Sequence, residues 1–199
     1  MIKLCGLKRE CDIETANKLL PDYIGFVFAK KSKRYVSYER ARQLKKLLSP
    51  KITAVGVFVD EVPEIVAELI NSGIIDMAQL HGSEDEEYIR RLKKLTDGKI
   101  IKAFKTESED IIIEAENSSA DFILLDSASA GSGKTFDWSI AEKIKRPYFL
   151  AGGLDTENVK AAVERLKPYA VDVSSGIETD GLKDKNKMEA FVHTVRNAV

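Results

Sequence analysis

The sequence is poor in the features that would commit it to a membrane, an oxidised exterior or a nucleic acid. No apolar run approaches the ~18–20 residues that a membrane-spanning helix needs. The start, Met1-Ile2-Lys3-Leu4-Cys5-Gly6, is charged too early for a secretory signal and reads as a strand. Two cysteines, Cys5 and Cys11, make no disulfide framework, and neither they nor the two histidines, His81 and His193, have zinc-finger spacing. Free thiols fit a reducing compartment, so a cytoplasmic setting is expected. A formal net charge of −1 gives no basis for a nucleic-acid-binding body.

What is present is an ordinary globular composition, 44% apolar and 32% charged over 199 residues, enough for one well-filled core. Short apolar runs alternate with longer amphipathic ones. The runs predict strands at Ile2 to Cys5, Tyr23 to Phe28, Ile52 to Val59, Asp76 to Leu80, Ile100 to Phe104, Phe122 to Asp126, Tyr148 to Ala151 and Ala170 to Ser174. Helical patterns lie between and after them, over Glu14 to Leu20, Tyr38 to Leu48, Pro63 to Ile70, Glu84 to Leu95, Glu109 to Asn117, Thr156 to Leu166 and Asn186 to Val199, with a shorter one over Trp138 to Ile144. No linker or shift of composition divides them, so residues 1–199 read as one domain. Strict alternation argues for a parallel sheet, and eight units of about 25 residues close naturally into a (β/α)₈ TIM barrel. An open doubly wound sheet is the alternative.

Asp121-Phe122-Ile123-Leu124-Leu125-Asp126 is the organising stretch: an apolar strand that ends in a carboxylate before a Gly/Ser-rich loop. Ligands sit at the carboxyl ends of strands in such sheets. Asp126 is therefore placed for chemistry, and an apolar approach is expected to raise its pKa by desolvation. The other reading is that Asp126 caps a turn. If the strands close, the same rim collects Cys5, His81, Leu150-Ala151-Gly152-Gly153-Leu154 and Val173-Ser174-Ser175-Gly176-Ile177-Glu178. Glycines there let backbone N–H groups approach an anion, serines add hydroxyl donors, and the last two loops of a barrel commonly hold phosphate. Tight turns alone are the competing explanation.

Cys5, at a strand tip before Gly6, is a candidate thiolate base, although a buried cysteine is more often a small core hydrophobe. Cys11 has no such position. His81 is a candidate substrate contact or a loop-packing residue, and His193 lies on the last helix. The run Lys30-Lys31-Ser32-Lys33-Arg34 is mostly a solvated face, but Arg34 can offer a planar fork to a carboxylate. Gly133-Lys134-Thr135 matches the end of a Walker A motif, yet Ala128 stands where its first glycine belongs, so an NTPase is disfavoured.

Over essentially its whole length the chain resembles the phosphoribosylanthranilate isomerase family. The carriers are Lys3-Leu4-Cys5-Gly6-Leu7, Gly25-Phe26-Val27-Phe28, Ser32-Lys33-Arg34-Tyr35-Val36, Val55-Gly56-Val57-Phe58, Gln79-Leu80-His81-Gly82 and Leu124-Leu125-Asp126. They continue through Gly131-Ser132-Gly133-Lys134-Thr135-Phe136-Asp137-Trp138, Leu150-Ala151-Gly152-Gly153-Leu154 and Asp172-Val173-Ser174-Ser175-Gly176-Ile177-Glu178. Departures are slight: Leu4 stands where a β-branched residue is expected, and Ala130 where a glycine is frequent. The resemblance implies a tryptophan-pathway isomerase that performs an Amadori rearrangement without metal or cofactor. It makes Cys5 the general base, Asp126 the general acid and Arg34 the anthranilate-carboxylate contact. Gly152, Gly153, Ser174, Ser175 and Gly176 would then hold the phosphate.

The expected partner is a small phosphorylated substrate, with no nucleic acid and no membrane, on a monomer or homodimer. A histidine-pathway-like sugar isomerase and an inactive phosphate-binding barrel are the alternatives.

Overall fold

The strands close on themselves. A computed structural model describes residues 1–106, 110–126 and 138–198. Eight parallel strands pair in chain order, and the eighth pairs with the first. They are β1 (Ile2–Cys5), β2 (Tyr23–Val27), β3 (Thr53–Phe58), β4 (Met77–Leu80), β5 (Lys99–Lys105), β6 (Phe122–Asp126), β7 (Tyr148–Ala151) and β8 (Ala170–Val173). Each is followed by a helix: α1 (Glu10–Leu19), α2 (Tyr38–Leu47), α3 (Pro63–Asn71), α4 (Glu86–Lys93), α5 (Asp110–Asn117), α6 (Ser139–Lys143), α7 (Val159–Leu166) and α8 (Lys185–Arg196). This is the (β/α)₈ barrel, and the open sheet is excluded by the β1–β8 ladder.

Strand periodicity sorts the side chains into two cores. Alternate residues such as Leu4, Ile24, Ala78, Ile123 and Leu150 point outward and pack beneath the helices. The others point into the barrel, where Tyr23, Val55, Met77, Ile101, Leu124, Phe149 and Ala170 fill its interior. An apolar plug therefore supports whatever stands above it on the inward face. Those next positions are Lys3 and Cys5 on β1, Gln79 on β4, Asp126 on β6 and Asp172 on β8.

The helix starts differ from the sequence expectation where side chains choose among caps. α1 begins at Glu10, four residues early, because Asp12 accepts from the backbone N–H groups of Lys8 and Arg9 at 3.0 and 2.9 Å. α4 begins after Asp85, whose carboxylate accepts from Tyr88 N–H at 2.8 Å; Glu84 is buried at the rim instead. α7 begins at Val159, since the Asp155 carboxylate is used on the N–H groups of Glu157 and Asn158 in the preceding turn. A two-stranded hairpin, β9 (Glu178–Thr179) and β10 (Leu182–Lys183), was absent from the strand reading. Its signal was Asp180-Gly181, both at positive φ, the pair that favours a two-residue hairpin turn.

Candidate active site

Cys5 is the last residue of β1 and its side chain is buried inside the rim. The thiol has room because β2 carries Gly25 beside it: a Cβ on Gly25 would lie 2.6 Å from Cys5 Sγ. Asp126 is the last residue of β6, and its carboxyl is 29% exposed. The burial expected from its apolar approach is not found, because only Ile123, Leu124 and Leu125 below it are sealed. Its Oδ2 lies 3.1 Å from His81 Nε2. Cys5 and Asp126 line one cavity of about 300 Å³, together with Arg34, His81, Gly152, Gly153, Ser174 and Ser175. A larger cavity of about 1020 Å³ opens alongside and shares Val59, His81 and Asp126 with it. The thiol, Gly152-Gly153 and Ser174-Ser175 belong to the smaller one.

The stretch of cavity wall beside the acid, where Ala151 pairs with Asp126 and leads into Gly152, is built from backbone. Gly152 and Gly153 have φ of +92° and +63°, conformations that side chains strain to adopt. Gly176 is not part of the wall of this cavity. It packs behind, where a Cβ would lie 2.0 Å from the Leu154 carbonyl oxygen. Its small size lets the β7 and β8 loops come together.

Arg34 crosses Gly6, whose missing side chain leaves the room: a Cβ there would lie 2.5 Å from Arg34 Cδ. The guanidinium fork is already engaged, Nε and Nη2 donating to the two Glu178 carboxylate oxygens at 2.6 and 2.8 Å. Nη1 has no hydrogen bond among the described residues. The expected free fork is thus half committed to the protein's own carboxylate.

A family model for N-(5'-phosphoribosyl)anthranilate isomerase matches residues 2–194. The chain belongs to the N-(5'-phosphoribosyl)anthranilate isomerase family. A relative of that name from Clostridium kluyveri is 47% identical over 198 residues, covering 98% of each chain. The crystal structure of phosphoribosyl anthranilate isomerase from Thermus thermophilus superposes with a TM-score of 0.89 at 33% identity, covering 100% of this chain and 99% of that one. Another isomerase, solved in complex with reduced 1-(o-carboxyphenylamino)-1-deoxyribulose 5-phosphate, gives 0.85 at 34% identity over 98% of both chains.

In this isomerase-family barrel a polar layer lies under the cavity that reading the strands as apolar runs overlooked. Lys3 is fully buried, and its Nζ donates to Asp172 Oδ2 at 2.8 Å and to Gln79 Oε1 at 2.7 Å. Gln79 Nε2 is 2.9 Å from His81 Nδ1. Beside them Lys183, also buried, donates to Ser174 and to Glu178 Oε1. The available signal was period two: Lys3 is two residues before Cys5, Gln79 two before His81 and Asp172 two before Ser174, each on the same inward face.

These charges set the site's electrostatics. Burial works against the Lys3 ammonium, but Asp172 beside it outweighs that and holds its pKa above the ordinary value. Burial pushes the Cys5 thiol up, against the opposing pull of Lys3 and Lys183. Burial likewise opposes the Glu178 carboxylate, yet hydrogen bonds from Arg34 and Lys183 prevail and hold it at about 2. Burial lowers Lys183, with Glu178 resisting. Cys11 is exposed on α1, and His193 is exposed on α8, both away from the cavity. The Walker-like Gly131 to Thr135 lies outside the described residues.

Proposed function

We propose that the chain catalyses the Amadori rearrangement of N-(5-phosphoribosyl)anthranilate to 1-(2-carboxyphenylamino)-1-deoxyribulose 5-phosphate, with Asp126 as general acid and Cys5 as general base. The observation that carries the reading is that a thiol and a carboxyl line one cavity together with the loops that follow β7 and β8. In this reading residues 1–199 act as one catalytic domain. The loops of Gly152-Gly153 and Ser174-Ser175 receive the phosphate, supported from behind by Gly176. The substrate sugar then lies between the β1 and β6 tips.

Protonated Asp126 donates to the furanose ring oxygen. The C1–O bond breaks, the nitrogen lone pair forms the iminium, and the ring oxygen leaves as a hydroxyl. The Cys5 thiolate removes the proton from C2, giving an enolamine that takes a proton at C1 and loses the C2 hydroxyl proton to become the ketone. The cationic iminium beside Cys5 favours the thiolate that burial disfavours in the free protein. Asp172 Oδ1 is buried, lines the cavity and has no hydrogen-bond partner among the described residues, so it offers an acceptor to a sugar hydroxyl. Arg34 Nη1 meets the anthranilate carboxylate while Glu178 holds the other edge of the fork.

The test is loss of the fluorescence of phosphoribosylanthranilate on adding the purified protein. Cys5→Ser and Asp126→Asn should each fold normally and lose about 10²- to 10⁴-fold in kcat, the usual contribution of a general base or acid. Near-normal turnover in either variant rejects its role. Turnover of the histidine-pathway substrate in preference, or of neither, rejects the specificity.

A further inference from the structure

We propose that Gln79 is a positioning residue: clamped by Lys3, its amide fixes His81 as the Nε2–H tautomer and so assigns the acid proton of Asp126 to Oδ1. The inference deepens the functional reading above and rests on it for the role of Asp126. The tautomer itself does not.

The argument is one of donors and acceptors. A lysine ammonium only donates, so the 2.7 Å contact from Lys3 Nζ must be to the oxygen of Gln79. Lys3 cannot swing away, being fully buried and held at 2.8 Å by Asp172. The amide nitrogen therefore faces His81 Nδ1 at 2.9 Å, and an amide nitrogen only donates. Nδ1 must then present its lone pair, and the neutral ring carries its hydrogen on Nε2. That hydrogen points at Asp126 Oδ2, 3.1 Å away. Oδ2 is occupied as an acceptor, so a protonated carboxyl carries its hydrogen on Oδ1.

The clamp also disfavours the other tautomer. An Nδ1–H would face the Gln79 NH₂, and the amide cannot turn without giving up Lys3. The other charged groups on the walls around the ring do not replace this control. Lys102 on β5 pairs with buried Glu84 at 3.0 Å, Asp60 beyond β3 is tied to Ser83, and Lys105 lines the larger cavity. Both ring nitrogens already have partners in Gln79 and Asp126.

The chain has only two histidines, so the test is ¹⁵N-histidine labelling of the full protein and long-range ¹H–¹⁵N correlation, with the His81→Asn variant assigning the signals. The wild type should show a pyridine-like Nδ1 and a pyrrole-like Nε2 for His81. Gln79→Glu keeps an acceptor for Lys3 but turns an acceptor toward the ring, so Nδ1 should become pyrrole-like. Its kcat should fall on the order of 10²-fold, the scale of a misplaced catalytic group, with KM within about threefold. Gln79→Met, which offers the ring nothing, should give mixed tautomers and a smaller loss. A wild-type His81 with Nδ1–H overturns the proposal without any variant, even if the variants fail to fold. An unchanged ring in Gln79→Glu overturns it too, as does a loss confined to KM. A wild type with the expected tautomer but no isomerase turnover overturns the functional reading and the acid role, and leaves the Lys3–Gln79–His81 clamp supported.

Discussion

Replacing Lys3 by methionine removes a fully buried cation from the inside of the barrel while nearly conserving the volume of its stem. Lys3 is 0% and Asp172 8% exposed, and their contact is 2.8 Å. The Asp172 carboxylate loses its only hydrogen-bond donor among the described residues, and Gln79 Oε1 loses its own. Breaking a buried pair by removing one partner costs about 3–5 kcal/mol, because the remaining charge has neither water nor a counterion. For a chain of this size each kcal/mol shifts Tm by about 2–4 °C, so the fall should be about 6–20 °C. Urea unfolding at neutral pH measures the same loss. The companion double variant Lys3→Met/Asp172→Leu removes both charges, and an apolar replacement of a buried pair is neutral or stabilising by about 1–4 kcal/mol. It should therefore recover most of the loss, giving a coupling energy of several kcal/mol in the double-mutant cycle. A single-variant cost below ~1 kcal/mol, or no recovery in the double variant, would falsify the view of Lys3 as the neutralising centre of the barrel.

With Cys5 as the proposed base, its raised thiol should make kcat/KM climb with pH above neutrality, since a base works only when ionised and kcat/KM reports the free enzyme. A profile already flat from pH 6 upward contradicts it. Glu178 is depressed from 4.5 to about 2, so its contribution to stability is complete above about pH 5 and disappears as pH falls toward 2. After discounting for solvent screening that contribution is ~1–2 kcal/mol, and acid unfolding of Glu178→Gln, shallower over that window, checks it. Gly176→Ala places a methyl 2.0 Å from the Leu154 carbonyl and should drive the two loops apart, raising KM at least tenfold while inorganic phosphate loses its power to inhibit. Unaltered phosphate inhibition would show that the loops do not form one anion site.

The barrel was legible because every strand pattern is short and apolar and every helix pattern repeats at three to four residues. These signals are local and survive without partners. Cys5, Asp126 and the two glycine–serine loops were legible for the same reason: each closes a strand, and strand ends share a rim once the sheet closes. Helix starts were read less well, since Asp12 and Asp155 each accept from two N–H groups and Asp85, rather than Glu84, caps α4. The packing around each start decided among them.

The charge state and geometry of the site were decided only in three dimensions. Nothing in the run Ile2-Lys3-Leu4-Cys5 says that the lysine meets Asp172, 169 residues away, and Gln79, 76 away. Nor does the run around Arg34 show that Glu178 claims one edge of its fork. Periodicity along one strand fixes which face a residue occupies. What stands opposite depends on the stagger of eight strands and on Gly6, Gly25 and Gly176 letting backbones and side chains approach. Hydrogen-bond direction across that space, rather than residue type, determines which atoms hold protons.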